Sequence, residues 1–209
     1  MNSVVSCRGT SIDLSDCPGP TGSTDCQCVC GATAAGPDFH FKLREARRAS
    51  DVATLIAGLD DPVEAKTAAR FLGDIGASEA IPELLRHLGS ANPHMRSSVL
   101  IALGRLRAAN AAPQIKEALV SDGVPWVRAA AVEAAEGAVP LESLRPLLYR
   151  ALQDKGWNAR FVAARTLERA GDSSDLSGLR AAKKADVWWH RGVYRKAIRA
   201  IRRRTKSGE

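Results

Sequence analysis

A unit of about thirty-two residues recurs from residue 50 to the C-terminus, and no other feature limits the fold as strongly. Asp122 and Arg128 stand six positions apart, and Asp154 and Arg160 repeat the pair thirty-two residues later. An earlier copy, Ser90 and Arg96, keeps the Arg, and a later one, Asp186 and Gly192, keeps the Asp. Recurrence at this period is the mark of a repeat architecture, in which each unit buries its apolar face only against its neighbours.

The units read as helical. Val99, Leu100, Leu103 and Leu106, and again Val162, Ala163, Leu167 and Ala170, are spaced at threes and fours that place them on one helix face. Alanine runs such as 129–131 and 134–135 combine high helix propensity with a side chain small enough for close helix approach. Proline divides the chain into pairs. Pro62, Pro93 and Pro125 each precede the second helix of a unit, and Pro82, Pro113 and Pro146 are expected in the first turns of the first helices. With aromatic residues at only 5%, thin and closely packed helix layers are favoured over a sandwich or barrel. The expected fold is all-α, an α-solenoid of about five helix pairs over 39–209. The pairs are read at 55–76, 81–106, 115–135, 144–170 and 176–204, with degenerate outer units as caps.

Residues 1–38 lack helical periodicity, are rich in Gly, Ser, Thr, Asp and Pro, and hold all five cysteines. They are expected to form an irregular Cys-rich tail. Cys26, Cys28 and Cys30 alternate, so an extended chain would point three thiols to one side, and soft thiolates gathered that way can hold zinc, copper(I) or an iron–sulfur cluster. The pairs with two intervening residues that mark zinc fingers are missing, so free thiols and no stoichiometric metal or other cofactor are expected. No apolar run is long enough to span a membrane, and the N-terminus lacks a basic region and an apolar core, so the chain is expected to be cytoplasmic.

Phe71-Leu72-Gly73-Asp74-Ile75-Gly76, leading through Ile81-Pro82 into Leu84-Leu85, recurs as Ala102-Leu103-Gly104-Arg105-Leu106, leading through Pro113 into Ile115. This pattern resembles HEAT repeats, in particular the short bacterial type found in phycocyanobilin lyases. HEAT families carry an Asp in the turn and an Arg early in the second helix. The resemblance therefore implies that Asp122, Arg128, Asp154 and Arg160 form a structural hydrogen-bonded ladder between repeats. It specifies fold and leaves activity open, because such scaffolds serve as lyases, adaptors and nucleic-acid binders alike.

Catalytic signals are sparse. None of His40, His87, His94 and His190 is followed by Glu, which removes the paired His-Glu motifs that the resemblance to HEAT-type deoxyhypusine hydroxylases would require. No nucleophile elbow, phosphate-cradling loop or zinc-protease motif occurs.

Two binding candidates remain. Trp126, Trp157 and Trp189 hold nearly equivalent positions thirty-one and thirty-two residues apart, with Trp188 beside the last. They form either an aromatic ridge for bases or a peptide, or a set of covers over repeat junctions. The second candidate is electrostatic. Residues 1–40 carry one basic and four acidic side chains, net −3; residues 41–175 carry eighteen and seventeen, net +1; residues 176–209 carry eleven and two, net +9. Lys183, Lys184, Arg191, Arg195, Lys196, Arg199, Arg202 and Arg203 would form a basic patch attractive to nucleic acid or an acidic protein. The leading expectation is a non-enzymatic scaffold that binds a protein or peptide. A nucleic-acid binder using the basic C-terminal helix and the Trp ridge, and an accessory lyase-like subunit, are the alternatives. The partner's identity and the oligomeric state are not readable from the residues.

Overall fold

The structure is a computed structural model of the 209-residue chain and describes residues 4–7, 10–13 and 37–207. The chain divides into two units, Met1–Asp38 and Phe39–Glu209.

In the first unit, β1 (Val4–Cys7) pairs antiparallel with β2 (Thr10–Asp13), Val4 opposite Asp13 and Cys7 opposite Thr10. The expectation of an irregular tail did not include this hairpin. Four-residue strands are too short to register as a period within a segment of turn-forming residues. Cys26, Cys28 and Cys30 lie outside the described residues.

α1 (Pro37–Ala49) runs into the second unit from its boundary at Asp38, and five helix pairs follow. These are α2 (Val52–Ala57) with α3 (Ala65–Ile75), α4 (Ile81–Arg86) with α5 (Pro93–Arg105), and α6 (Ala112–Ser121) with α7 (Pro125–Ala138). They are followed by α8 (Leu141–Ala151) with α9 (Trp157–Ala170), and α10 (Leu176–Ala185) with α11 (Arg191–Ser207). The second helices stack in order as one layer, α3 on α5, α5 on α7, α7 on α9 and α9 on α11. Each first helix lies against its own partner. This is an α-solenoid, and its core is one continuous cluster from Leu43 to Ile201. Most of the apolar residues that set the helical period fill it: Val99, Leu100, Leu103, Ala163 and Leu167 are fully buried, Leu106 and Val162 are half-buried, and Ala170, last in α9, is exposed.

Proline marks the helix starts, with one departure. Pro93 and Pro125 begin α5 and α7, where a missing N–H and a preset φ suit the first turn. Pro82 and Pro113 are the second residues of α4 and α6. Pro146 instead lies inside α8. In the second and third pairs, 3-10 turns at Ser78–Ala80 and Ala109–Ala111 precede the first helix. In the fourth pair the corresponding residues are already α-helical, so the helix starts earlier and proline falls deeper within it. The first helical stretch is also broken: Ser50 adopts φ 54 between α1 and α2, and the side chain of Asp51 caps α2 by accepting from the Thr54 N–H at 3.1 Å.

The second-helix layer is held at backbone contact by small residues. A Cβ built on Gly104 of α5 would lie 2.6 Å from the Ala134 Cα of α7, and one on Gly137 of α7 would lie 2.3 Å from the Gly104 carbonyl oxygen. Gly73 of α3 faces Ala102 of α5 in the same way, at 2.9 Å. Flexible side chains are absent from these contacts, so added volume must part the helices. Gly104→Val is therefore expected to lower the unfolding free energy by roughly 2–3 kcal/mol, measured by urea denaturation against wild type.

Candidate interaction surface

The turns between first and second helices are fixed by a row of arginine–aspartate pairs. Arg96 donates to Asp122 through Nε at 2.7 Å and Nη2 at 3.0 Å. Arg128 donates to Asp154 at 2.7 and 2.6 Å, and Arg160 to Asp186 at 2.9 and 3.1 Å. The Asp and Arg of one motif thus serve different rungs, since each Arg reaches the Asp of the following repeat. The third guanidinium nitrogen turns back to its own repeat. Arg96 donates to the Ser90 carbonyl at 2.8 Å, Arg128 to that of Asp122 at 2.7 Å, and Arg160 to that of Asp154 at 2.7 Å. Each Asp also caps the turn that carries it, accepting from the N–H of Val124, Gly156 or Val187.

These carboxylates titrate low. At Asp154, burial opposes ionisation, but the hydrogen bonds from Arg128 and the Gly156 N–H, with the charges of Arg128 and Arg160, outweigh it. Asp122 follows the same pattern with Arg96 and the Val124 N–H. At Asp186 burial is again overcome, by Arg160, Tyr194 and His190, and the carboxyl is held well below the usual carboxylate range.

At the last rung Gly192 stands where an Arg would be, and the Asp186 carboxylate has two neighbours that the earlier rungs lack. Tyr194, fully buried, donates its hydroxyl to Asp186 at 2.7 Å, and His190 Nδ1 lies 3.1 Å from the same carboxylate. Burial and the bond to Asp186 push the Tyr194 phenol up. Arg191 Nε donates to the Asp186 carbonyl at 3.0 Å, taking over the backbone contact that the ladder arginines make elsewhere.

The aromatic residues of this edge fall into two groups. Trp126 stacks on His94 at 5.8 Å between ring centroids. Trp157 stacks on His190 at 5.7 Å and meets Phe161 edge-on at 5.8 Å, while Trp189 meets both His190 and Trp188 edge-on. Trp157 is 49% exposed, Trp189 62% and Trp188 71%, and Phe161 and Val187 are exposed beside them. Trp157, Phe161, Trp189, His190 and Val193 wall a cleft of about 210 Å³ between α9 and α11, with Asp186 and Tyr194 at its floor. Arg160 and Asp186 also line a wider groove of about 630 Å³, together with Tyr149 of α8 and Gly178 and Ala182 of α10.

The basic residues do not form one uniform face. Arg195, Arg199, Arg202 and Arg203 are exposed on α11. Lys196, also exposed, pairs with Glu168 at 3.3 Å. Lys184 is exposed and Lys183 half-buried on α10, and half-buried Arg191 is committed to the backbone of the last turn. Arg165, on α9, lies over the Phe161 ring at 5.8 Å. His94, Phe161 and Arg165 were not singled out as site residues from the sequence. His94 holds the Trp126 position one repeat earlier, a ring at the same place in the period that would have revealed it. Among the described residues no group of three or more His, Cys, Asp and Glu is arranged to hold a metal, and no helix is long and apolar enough to cross a membrane.

Residues 52–136 match the family described as HEAT repeats. Among solved structures, the chain is similar to that of the complex of CpcE and CpcF of phycocyanin lyase from Nostoc sp., at 18% identity, covering 82% of this chain and 91% of that one, with a TM-score of 0.38. No curated protein matches the sequence.

Arg128→Ala would strand the carboxylate of Asp154 in a mostly buried turn, and a loss of roughly 2–3 kcal/mol is expected by chemical denaturation. Arg128→Lys keeps the charge without the fork and is expected to fall between that variant and wild type. The lowered carboxyls make a second outcome measurable. Stability contributed by a group whose folded pKa lies below its unfolded one is fully present above the unfolded value, near about 4, and drains as pH falls through the folded value. Unfolding free energy is therefore expected to hold between about pH 7 and 5 and to fall steadily toward pH 2. Asp186→Asn is expected to be less stable at neutral pH and to show a shallower acid slope.

Proposed function

We propose that this HEAT-repeat protein is a non-enzymatic interaction scaffold whose partner-binding surface is the exposed aromatic edge of its last two repeats. HEAT repeats build scaffolds for protein interaction, and their stacked turns offer extended surfaces. The observation that carries the reading is the grouping of Trp157, Phe161, Val187, Trp188 and Trp189, all exposed, at a single repeat junction. Scattered exposed hydrophobic residues are ordinary in folded proteins, but a contiguous aromatic patch is a feature of binding surfaces. The patch sits on a rigid support, since Trp157 and His190 are fixed by stacking and by the Asp186 network.

The charge pattern favours a partner with acidic character. Residues 176–209 carry eleven basic and two acidic side chains, net +9, and Arg195, Arg199 and Arg202 are exposed with no acidic partner among the described residues. The same charges support the second reading, binding of nucleic acid along α11, in which the phosphate backbone would supply most of the affinity.

The test is retention of partners on tagged protein crosslinked in its native host. The double variant Trp188→Ala/Trp189→Ala is expected to lose a partner that wild type and Arg150→Ala/Arg180→Ala, altered on exposed first-helix positions, both retain. Equal retention by all three would sink the assignment of this surface. Retention of nucleic acid that Arg195→Ala/Arg199→Ala/Arg202→Ala abolishes would favour the second reading.

A further inference from the structure

We infer that the cleft between α9 and α11 is an anchor pocket for a single aromatic or branched aliphatic side chain of an acidic peptide segment. This rests on the scaffold reading above and names the recognised chemistry. At about 210 Å³ the cleft holds several times the roughly 30 Å³ share of one water molecule, yet falls short of the roughly 300 Å³ at which cofactor and drug-sized sites begin. One side chain is the guest that fits.

The walls decide its polarity. Trp157, Phe161, Trp189 and Val193 give it aromatic and branched aliphatic walls. The one carboxylate at the floor, Asp186, already accepts from both nitrogens of the Arg160 fork, from Tyr194 and from its own turn, so it has no charge left to offer a guest.

An aromatic-walled cleft would also suit a methylated ammonium group, which rings attract through their quadrupoles. The surroundings argue against that guest. Arg165 sits over Phe161 at one wall, Arg191 follows directly on His190, and Arg195 lies exposed on the next turn of α11. A cation would enter a field set by these guanidinium groups with no free carboxylate to offset it. An apolar side chain meets no such penalty, and acidic residues flanking it would face the same arginines favourably. The cleft thus supplies the anchor and its rim the selection for acidic flanks. This division matches the general pattern of interfaces, in which a buried aromatic or aliphatic contact carries the energy and charged rims set orientation and rate.

The experiment is a fluorescence-anisotropy titration of three labelled twelve-residue peptides, each composed of Asp and Glu around one central residue: Phe, Ala or trimethyllysine. A twenty-nucleotide oligothymidylate serves as the fourth probe. With intact protein the Phe peptide is expected to bind about tenfold or more tightly than the Ala peptide, the gain from burying one large apolar side chain. Trp189→Ala removes an exposed ring, and circular dichroism serves to check that the fold is retained. This variant should bind the Phe peptide no better than the Ala peptide, and both should keep the residual, salt-sensitive affinity. Arg165→Glu/Arg195→Glu should weaken both peptides together.

Equal binding of the Phe and Ala peptides to the intact protein overturns the inference. So does tighter binding of the trimethyllysine peptide, which would make the cleft a cation cage. Oligothymidylate bound more tightly than any peptide, with Trp189→Ala abolishing that binding, would assign the rings to base stacking and overturn it as well. The two levels fail separately. Loss of a native partner in Trp188→Ala/Trp189→Ala alongside equal Phe and Ala affinities removes the anchor and leaves the scaffold. Native retention insensitive to the tryptophans removes the surface itself.

Discussion

The forked bond from the arginine of one repeat to the aspartate of the next is the interaction on which the rest of the structure depends. A helix pair of thirty-odd residues buries too little surface to hold its place alone, so each unit requires a fixed register on its neighbours. Apolar stacking supplies most of the driving force but is nondirectional. The guanidinium supplies direction: two nitrogens hold the following aspartate and a third holds the carbonyl six residues earlier. One side chain thereby sets both the shape of its own turn and the position of the next. The small residues Gly73, Gly104 and Gly137 complete the constraint by letting α3, α5 and α7 approach to backbone contact, where few alternative registers fit.

The ladder has ends, and the ends explain the surface. It opens at Arg96, because Ser90 stands in the aspartate position of its own repeat and uses its hydroxyl only locally, accepting from the Asn92 N–H. It closes at Asp186, beyond which Gly192 offers no guanidinium. The Asp186 carboxylate accepts the Arg160 fork as the earlier aspartates accept theirs, Tyr194 and His190 are added to it, and the carbonyl that an own-repeat arginine would hold is held by Arg191. Recruiting His190 coincides with a 3-10 turn at Trp188–His190, so that α11 starts at Arg191, later in the period than Trp157 starts α9. The turn displays Trp188 and Trp189 to solvent and brings the His190 ring onto Trp157. The aromatic patch is therefore joined to the Asp186 rung through His190, and its geometry is tied to that rung.

A second consequence concerns charge. Residues 41–175 hold eighteen basic and seventeen acidic side chains, and the ladder pairs Arg96, Arg128 and Arg160 with aspartates. On α11 the apolar stripe Tyr194, Ala197, Ile198 and Ile201 packs inward, and the residues between its members are mostly basic. Part of the basic face serves the cap itself: Arg204 donates to the carbonyls of Glu168 and Gly171 at 2.7 Å each, covering the C-terminal end of α9. Arg195, Arg199 and Arg202 are exposed and bond no carbonyl or acid among the described residues.

Much of the fold was legible in the residues, since a period near thirty-two, apolar spacing of three and four, and proline at helix starts are all local signals. They determine five helix pairs and the positions of the ladder residues. Local signals failed where neighbouring segments compete for the same residues, as at Pro146, which lies inside α8 because the turn before it joined the helix. The candidate surface was legible only in part. The period placed Trp126, Trp157 and Trp189 in one row, whereas the structure sets Trp126 with His94 and gathers Trp157 with Phe161, His190 and Trp189 around one cleft. Likewise the basic run of α11 was visible as composition, but which arginines bind backbone, pair with acids or face solvent depends on packing against α9 and α10. By itself the sequence determined the repeat, its helical character and its charge asymmetry, because these follow from spacing along the chain. Only the tertiary structure decided which rings meet and which charges remain uncommitted, because those depend on contacts between residues some thirty positions apart.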